Sequence, residues 1–194
     1  FPSRHYDIEQ YPAVRDYLLS FGKERLEQTG KVYTVNGEKV KARKKTNNKW
    51  FETQDSISYW EDFSKPKVMW KIIGCNINFS FDETNKVCNN AVDIMTGKRN
   101  QLLQFVGLMN SKLFDWYLKL TTEAEVQGGG IQLYVTTLEK TLLKLDFPNN
   151  LNEVTEQRLN GLVSDEDVDK TIYSLYNLTK EEIDFIHFCK QVNR

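Results

Sequence analysis

The stretch "QLLQFVGLMNSKLFDWYLKLTT" (Gln101 to Thr122) decides the fold, because its apolar side chains cover most of the circumference of one helix. A helix that is apolar nearly all round is buried, so we expect the other elements to pack around it. Asn110 and Ser111 are the polar exceptions. Buried polar groups are hydrogen-bonded, so we predict that both side chains bond within the core or to a neighbouring loop.

Short strands are predicted before this helix. The segment "KVMWKII" (Lys67 to Ile73) predicts one strand, and "NINFSFD" (Asn76 to Asp82) alternates apolar and polar residues as a half-buried strand does. The segment "NKVCNNAVDIMTG" (Asn85 to Gly97) holds two further short strand candidates and a turn. These strands would form the sheet on which the long helix packs.

A helix and a hairpin are predicted nearer the start of the chain. Pro12 suits the first turn of a helix, and the apolar spacing favours a helix over 12–28 that ends near Gly30. The dipeptide Asn36-Gly37 is a strong turn signal and predicts a small hairpin within "KVYTVNGEKVKA" (Lys31 to Ala42).

The end of the chain predicts amphipathic helices. The acidic run 165–167 suits the first turn of one helix, and a break at 177–179 precedes a last helix that Thr179 and Glu182 would cap. We therefore predict an α+β fold, a twisted mixed sheet of short strands with packed helices followed by a helical C-terminal tail. The predicted domains are residues 1–148 and the tail 149–194, packed on them.

Composition bounds the class of protein. The chain has 194 residues, 40% of them hydrophobic, which is enough for a core, and no apolar run reaches the length of a membrane span. It opens at Phe1 and is interpreted as a fragment of a longer protein. Three widely spaced cysteines argue against a disulfide framework and for a reducing compartment, so we expect the cytoplasm.

The charge is unevenly distributed. Residues 1–49 carry 11 Lys and Arg against 6 Asp and Glu, whereas residues 120–194 carry 7 against 13. The basic part includes "KVKARKKTNNKWFETQ" (Lys39 to Gln54), with six cationic side chains and two asparagines before a Trp-Phe pair. This stretch is either a solvated loop or a surface that touches a polyanion.

Motifs for catalysis are absent from the sequence. It has no phosphate-binding loop, no Gly-x-Ser-x-Gly nucleophile turn and no Cys and His spacing typical of a zinc site. Asp82 and Glu83 ahead of Lys86 resemble a metal-nuclease pattern, but the ordinary interpretation is a turn between strands, with Asn85 in the loop. His187 is interpreted as a packing residue rather than a base.

Several segments in order carry a family resemblance. They are "YPAVRDYLLSFGKERLEQ", "KWFETQ" with "YWEDFSKPKVMW", "FSFDETN", "LLQFVGLMNSKLFDWYLKL" and "GGGIQLYVTTLEKTLLKLDFP". Together they resemble the TaqI-like C-terminal specificity domain of type II restriction-modification enzymes over roughly residues 10–190. Trp50-Phe51-Glu52, Pro66-Lys67-Val68 and Asn110-Ser111-Lys112-Leu113 match the family pattern. The close at Leu145-Asp146-Phe147-Pro148 departs from it, although the last proline is kept.

The resemblance implies a function in sequence-specific DNA recognition within an adenine-specific DNA methyltransferase or a type IIG enzyme that also carries an endonuclease. The family's Asn-Pro-Pro-Tyr signature and its glycine motif for S-adenosylmethionine are absent from this chain. The resemblance therefore implies a non-catalytic fragment without a cofactor or metal. Its partners would be double-stranded DNA and the catalytic methyltransferase domain of the same parent, in the cytoplasm of a bacterium and away from membranes.

Residues that would contact DNA are cationic side chains for phosphates and forked amides or guanidinium groups for base edges. Trp50, Tyr59, Trp60 and Trp70 offer stacking faces, but burial is the better expectation for all four. The predicted DNA-binding residues are Lys41, Arg43, Lys44, Lys45, Asn47, Asn48, Lys49, Gln54, Lys98, Arg99, Gln127 and Gln132.

Two other functions stay open at the level of sequence. One is a nuclease that uses Asp82, Glu83 and Lys86. The other is a protein-interaction module that docks a partner subunit through its acidic helical tail. Metal-dependent cleavage by this chain alone would favour the first, and DNA binding that is absent or insensitive to salt would favour the second.

Overall fold

The computed structural model describes residues 6–55, 58–121, 125–126, 130–141, 147 and 150–192. The chain forms two compact units, one ending at Trp60 and the other beginning at Glu61. The α+β class is confirmed, with helices and small antiparallel sheets of short strands. The division into domains 1–148 and 149–194 stays a prediction.

The first unit contains short helices and one hairpin. After a 3-10 turn, its elements are α1 (Pro12–Leu19), α2 (Lys23–Leu26), β1 (Val32–Val35) and β2 (Glu38–Lys41). The single helix predicted over 12–28 is wrong. Gly22 takes a φ of 86°, a conformation that an α-helix does not contain, and this residue separates α1 from α2.

The predicted hairpin is confirmed. Asn36 and Gly37 have φ values of 51° and 86°, which is the pair of positive angles that a type I′ turn requires. β1 and β2 pair antiparallel, with Thr34 opposite Lys39 and Val32 opposite Lys41.

The second unit contains most of the strands and helices. A 3-10 helix, Trp60–Ser64, lies at the boundary between the units. The elements of the second unit are β3 (Lys67–Lys71), β4 (Ile73–Gly74), β5 (Phe79–Asp82), β6 (Val92–Thr96), α3 (Arg99–Met109), α4 (Lys112–Thr121), β7 (Glu125–Val126), β8 (Gly130–Gln132), α5 (Val135–Lys140), α6 (Asn150–Leu159), α7 (Asp165–Leu175) and α8 (Lys180–Val192).

Within the described residues of the second unit, the strands form two small antiparallel sheets, with strand orders β5-β3-β6 and β4-β8-β7. We expected a single mixed sheet. The chain passes from one sheet to the other at Ile72, whose N–H donates to the carbonyl of Ala91 and whose carbonyl accepts from the N–H of Leu133. The predicted strand over 67–73 is therefore two strands, one in each sheet.

The core lies between the strands and the helices, and α3 is at its centre. One side of α3 packs with the strands through Leu102 and Val106, and Leu108 on another side packs with Leu151 of α6 and Ile172 of α7. Both sides of α3 are therefore covered by other elements. This explains why apolar residues surround the helix nearly completely, as the sequence indicates.

The long helix predicted over 101–122 is interrupted at its two polar residues, Asn110 and Ser111. Ser111 donates from Oγ to the carbonyl of Leu108 (2.6 Å) and accepts from the N–H of Phe114 (3.1 Å), so it ends α3 and caps α4. Asn110 bonds to both backbone groups of Phe79 on β5. The predicted hydrogen bonding of both side chains is confirmed, and Ser111 is buried, but Asn110 is exposed, so the burial expected for it is wrong.

The tail helices are confirmed. Thr179 and Glu182 form the predicted capping box: the N–H of Thr179 donates to Oε2 of Glu182 (2.8 Å), and the N–H of Glu182 donates to Oγ1 of Thr179 (3.3 Å). The acidic residues of 165–167 occupy the first turn of α7. None of the helices that the structure describes combines the length and the apolar character needed to cross a bilayer.

Candidate nucleic-acid interface

The basic stretch forms an irregular loop over residues 42–55 that continues from β2. Its backbone pairs with the segment before the hairpin. The N–H of Gly30 donates to the carbonyl of Arg43 (2.8 Å), and the N–H of Thr46 donates to the carbonyl of Gln28 (3.1 Å). The loop is therefore tied along its first half to an ordered part of the same unit.

Gln28 is the residue that closes this loop. Its buried side chain donates from Nε2 to the carbonyls of Lys49 and Glu52, each at 2.9 Å, and accepts from Oγ1 of Thr46 at 2.5 Å. One amide thus holds three positions of the loop. Sequence reasoning missed this role, because a glutamine near the end of a predicted helix carries no pattern that shows a distant partner.

Arg43 performs a similar task with a charged group. It donates from Nε to the carbonyl of Leu26 (2.8 Å), from Nη1 to that of Glu52 (3.0 Å) and from Nη2 to that of Trp50 (2.5 Å). Burial lowers the pKa of Arg43, and the nearby charge of Glu27 raises it. The guanidinium is thus bound to the backbone on all three of its nitrogens.

The Trp50-Phe51-Glu52 motif supports the end of the loop. Glu52 is buried and accepts from the N–H of Lys49 at Oε2 (2.6 Å). Phe51 is buried, with its ring perpendicular to that of Trp50. Nζ of Lys49 lies 5.6 Å from the centroid of the Phe51 ring, so the motif also orients a cation.

The other predicted loop residues divide into two groups. Asn48 donates from Nδ2 to the carbonyl of Thr53 (2.9 Å), and Lys44 forms an ion pair with Asp55. Lys44 is exposed, and so are Lys41, Lys45 and Asn47, which differ from it in their contacts. No side-chain hydrogen bond or ion pair engages these three among the residues that the structure describes. Lys49 is also exposed and Gln54 is half-buried.

The remaining predicted residues lie in the second unit. Lys98 is exposed and directly precedes α3. Gln132 on β8 donates to the hydroxyl of Tyr134.

Arg99 is the first residue of α3 and forms ion pairs with Glu156 (2.6 Å) and Glu83 (3.0 Å), which together raise the pKa of Arg99. Arg99 therefore connects α6 with the loop after β5. Gln127 lies outside the described residues.

The carboxylates of the nuclease hypothesis occupy structural positions. Asp82 is buried, and it accepts from Nζ of Lys67 as well as from the backbone N–H groups of Thr84 and Lys86. Glu83 is paired with Arg99. Across the described part of the chain, no cluster of three His, Cys, Asp or Glu side chains is arranged to hold a metal ion.

The aromatic and histidine predictions have mixed outcomes. Trp70 is buried and donates from Nε1 to the carbonyl of Leu133 (3.2 Å), and Trp50 and Trp60 are half-buried. Tyr59 is exposed, so the expected burial is wrong for this residue. His187 is half-buried against Tyr173, with Nε2 at 3.0 Å from the tyrosine hydroxyl. Its role as a packing residue rather than a base stays a prediction.

A comparison with known families identifies the class of this domain. A model of the TaqI-like C-terminal specificity domain matches residues 8–141, which is more than half of the chain. The chain belongs to this family of specificity domains, which recognise DNA sequence in restriction-modification enzymes. A search of curated proteins gave no match.

Proposed function

We propose that this chain is the sequence-reading domain of an adenine-specific DNA methyltransferase or type IIG restriction-modification enzyme. The observation that carries the proposal, beside the family, is the loop 42–55. Gln28, Arg43 and Glu52 fix its backbone, while Lys45, Asn47 and Lys49 stay exposed. A fixed backbone with exposed cationic and amide side chains loses little conformational freedom when it binds a polyanion.

The two groups of loop residues have different proposed tasks. The exposed lysines contact phosphates, which gives affinity that falls with salt, and Asn47 can donate to and accept from an adenine edge. Arg43 and Asn48 hold the loop. Lys98, directly before α3, and Gln54 are proposed as further DNA contacts. For each of the twelve residues named from the sequence, binding to DNA stays a prediction.

The catalytic steps belong to another part of the parent protein. S-adenosylmethionine would be bound by its methyltransferase domain, because this chain has neither the Asn-Pro-Pro-Tyr signature nor the glycine motif. The present chain would position that domain on its target in the cytoplasm of a bacterium. An endonuclease fused to the same parent is part of the type IIG alternative.

The test is binding of the chain to a pool of random duplex DNA at 50 mM and 200 mM salt, followed by sequencing of the bound fraction. We expect binding that weakens at the higher salt and a bound pool enriched in one sequence. Lys45→Ala with Lys49→Ala should reduce the slope of log affinity against log salt by about two, one for each lost phosphate contact. Lys180→Ala, an exposed lysine on α8, is the matched control.

A second candidate function is docking of a partner subunit through the acidic helical tail. It is favoured by Phe185 and Phe188 of α8, which are 55% and 61% exposed, and by Trp116 of α4, whose ring lies 6.3 Å from that of Phe185. Exposed aromatic side chains of this size are typical of interfaces. If Phe188→Ser abolishes association with the parent's catalytic domain and leaves DNA binding unchanged, the tail is the docking element.

A further inference from the structure

The β1–β2 hairpin has two chemically different faces. Along β1, exposed side chains alternate with half-buried ones, whereas in β2 only Val40 is half-buried and Glu38, Lys39 and Lys41 are exposed. Tyr33 and Val40 point to the inner side, where the Tyr33 hydroxyl lies 3.0 Å from Oγ1 of Thr29. The opposite side, here called the ribbon face, consists of the four exposed residues Val32, Thr34, Lys39 and Lys41.

The ribbon face is cationic and carries no acid. Glu38, the acidic residue of the hairpin, pairs with Val35 and so belongs to the other face. Within the described part of the chain, no hydrogen bond or ion pair engages the side chains of Thr34, Lys39 and Lys41. This surface therefore offers two ammonium groups, a hydroxyl and a branched apolar side chain that the fold itself does not use.

A two-stranded ribbon fits the major groove of DNA. The groove is about 12 Å wide, and paired strands lie about 5 Å apart. Four residues of a strand rise about 13 Å, which corresponds to about four base pairs at 3.4 Å each. The strand twist that a type I′ turn supports is right-handed, like the twist of ribbons that follow the groove in known β-ribbon readers.

We propose that the hairpin enters the major groove with its ribbon face toward the base edges, and that Thr34 and Lys39 help to select the sequence. The proposal rests on the proposed DNA-recognition function and names the element that performs it. Lys39 donates to the O6 and N7 acceptors of guanine, the Thr34 hydroxyl donates or accepts, and Val32 contacts a thymine methyl group. Lys45 and Lys49 follow β2 in the chain and hold phosphates beside the groove.

The experiment is sequence selection from random duplex DNA by the 194-residue chain and by the variants Lys39→Ala and Thr34→Val. Thr34→Val keeps the shape and strand preference of the residue and removes the hydroxyl, so it preserves the hairpin. Lys180→Ala is again the control for loss of one exposed lysine. We expect each ribbon variant to lower discrimination at one or two neighbouring base pairs by roughly ten-fold or more, with the control unchanged.

The outcomes separate this inference from the proposed function. If the unmodified chain selects a sequence and the ribbon variants select the same one with equal discrimination, the hairpin does not read bases. If Lys39→Ala weakens binding to every sequence equally, Lys39 contacts phosphate and the groove assignment fails. If the unmodified chain binds no duplex DNA at low salt, the proposed function itself is overturned, and this inference with it.

Discussion

Lys67 and Asp82 are directly opposite each other on β3 and β5 and form an ion pair sealed from solvent, with Nζ and Oδ2 2.5 Å apart. Their side chains are 0% and 2% exposed. Nζ of Lys67 also donates to the carbonyl of Phe63, and Oδ1 of Asp82 accepts from both the N–H and the hydroxyl of Thr84. Each charged group therefore has a hydrogen-bond partner besides its counter-charge, which offsets part of the cost of burying the pair.

Removing one member of this pair should destabilise the second unit strongly. Lys67→Met leaves the buried Asp82 carboxylate with only the exposed Nζ of Lys86, 3.7 Å from Oδ1, as a counter-charge. We expect a loss of about 3–5 kcal/mol in the free energy of unfolding. The double variant Lys67→Met with Asp82→Asn should lose less than the sum of the two single changes. Urea unfolding of all four proteins checks this, and additive losses would show that the two residues are not coupled.

The same pair predicts a dependence of stability on pH. Burial raises the pKa of Asp82, but the hydrogen bonds from Lys67, Thr84 and Lys86 outweigh it and hold the pKa well below its ordinary value. An unfolded Asp has a pKa of about 3.9, so the unfolded chain binds more protons as the pH falls below it. The contribution of Asp82 is therefore present above about pH 5 and is lost progressively below pH 4.

Stability curves of the unmodified chain and of Asp82→Asn, measured between pH 2.5 and 7, isolate this effect. The difference in unfolding free energy between the two proteins should shrink as the pH is lowered through 4. A difference that stays constant over the whole range would mean that the pKa of Asp82 is the same in the folded and unfolded chain.

The sequence predicts the elements of this core better than their ends. Local chemistry fixed the Asn36-Gly37 hairpin and the Thr179 capping box, because both depend on residues next to each other in the chain. At the break in the long helix, the local cap by Ser111 is joined by a contact between Asn110 and Phe79, which are 31 residues apart and are brought together by packing. Periodicity alone reports one continuous apolar helix there.

Asn110 completes the edge of β5. Its Oδ1 accepts from the N–H of Phe79 (2.9 Å), and its Nδ2 donates to the carbonyl of Phe79 (2.7 Å). Asn110→Ala removes both bonds, and we expect a loss of about 1–3 kcal/mol, since two backbone groups lose their partner. Asn110→Asp retains the acceptor but not the donor and should fall between the two in thermal unfolding. An alanine variant as stable as the parent would show that water replaces the amide at no cost.

Helices α3 and α6 meet closely at Gly107 and Thr155. A Cβ atom added at Gly107 would lie 2.3 Å from Oγ1 of Thr155, far inside contact distance. That hydroxyl is buried and has no hydrogen-bond partner among the described residues. Gly107→Ala should therefore cost about 1–3 kcal/mol through overpacking, although alanine is the better helix former.

The matched test for this contact is the double variant Gly107→Ala with Thr155→Ala. Thr155→Ala removes the atom that the new methyl group meets, so Gly107→Ala should cost clearly less in that background. Equal costs in both backgrounds, measured by urea unfolding, would place the strain elsewhere, for example at Leu151, whose Cδ1 lies 3.3 Å from the added atom.

The candidate interface shows the same limit of sequence reasoning. Composition located a basic stretch, but it could not separate Arg43, which binds three carbonyls, from Lys45, which is exposed. Both are cations two positions apart, and their difference arises from contacts with residues 26–28 and 50–52. The ribbon face was open to prediction, since the turn at Asn36-Gly37 fixes the register that puts Thr34 opposite Lys39.

Arg43 and Lys45 should therefore respond differently to the same substitution. Arg43→Ala leaves the carbonyls of Leu26 and Trp50 without this donor and should lower the unfolding free energy by about 2–3 kcal/mol. Arg43→Lys should recover little, because one ammonium cannot reach three carbonyls in the geometry of the planar guanidinium. Lys45→Ala should leave stability unchanged within about 0.5 kcal/mol, as expected for an exposed side chain. Thermal unfolding of the three variants without DNA measures this difference. Equal stability of Arg43→Ala and Lys45→Ala would show that the loop does not depend on the guanidinium. Arg43 would then be available for DNA binding.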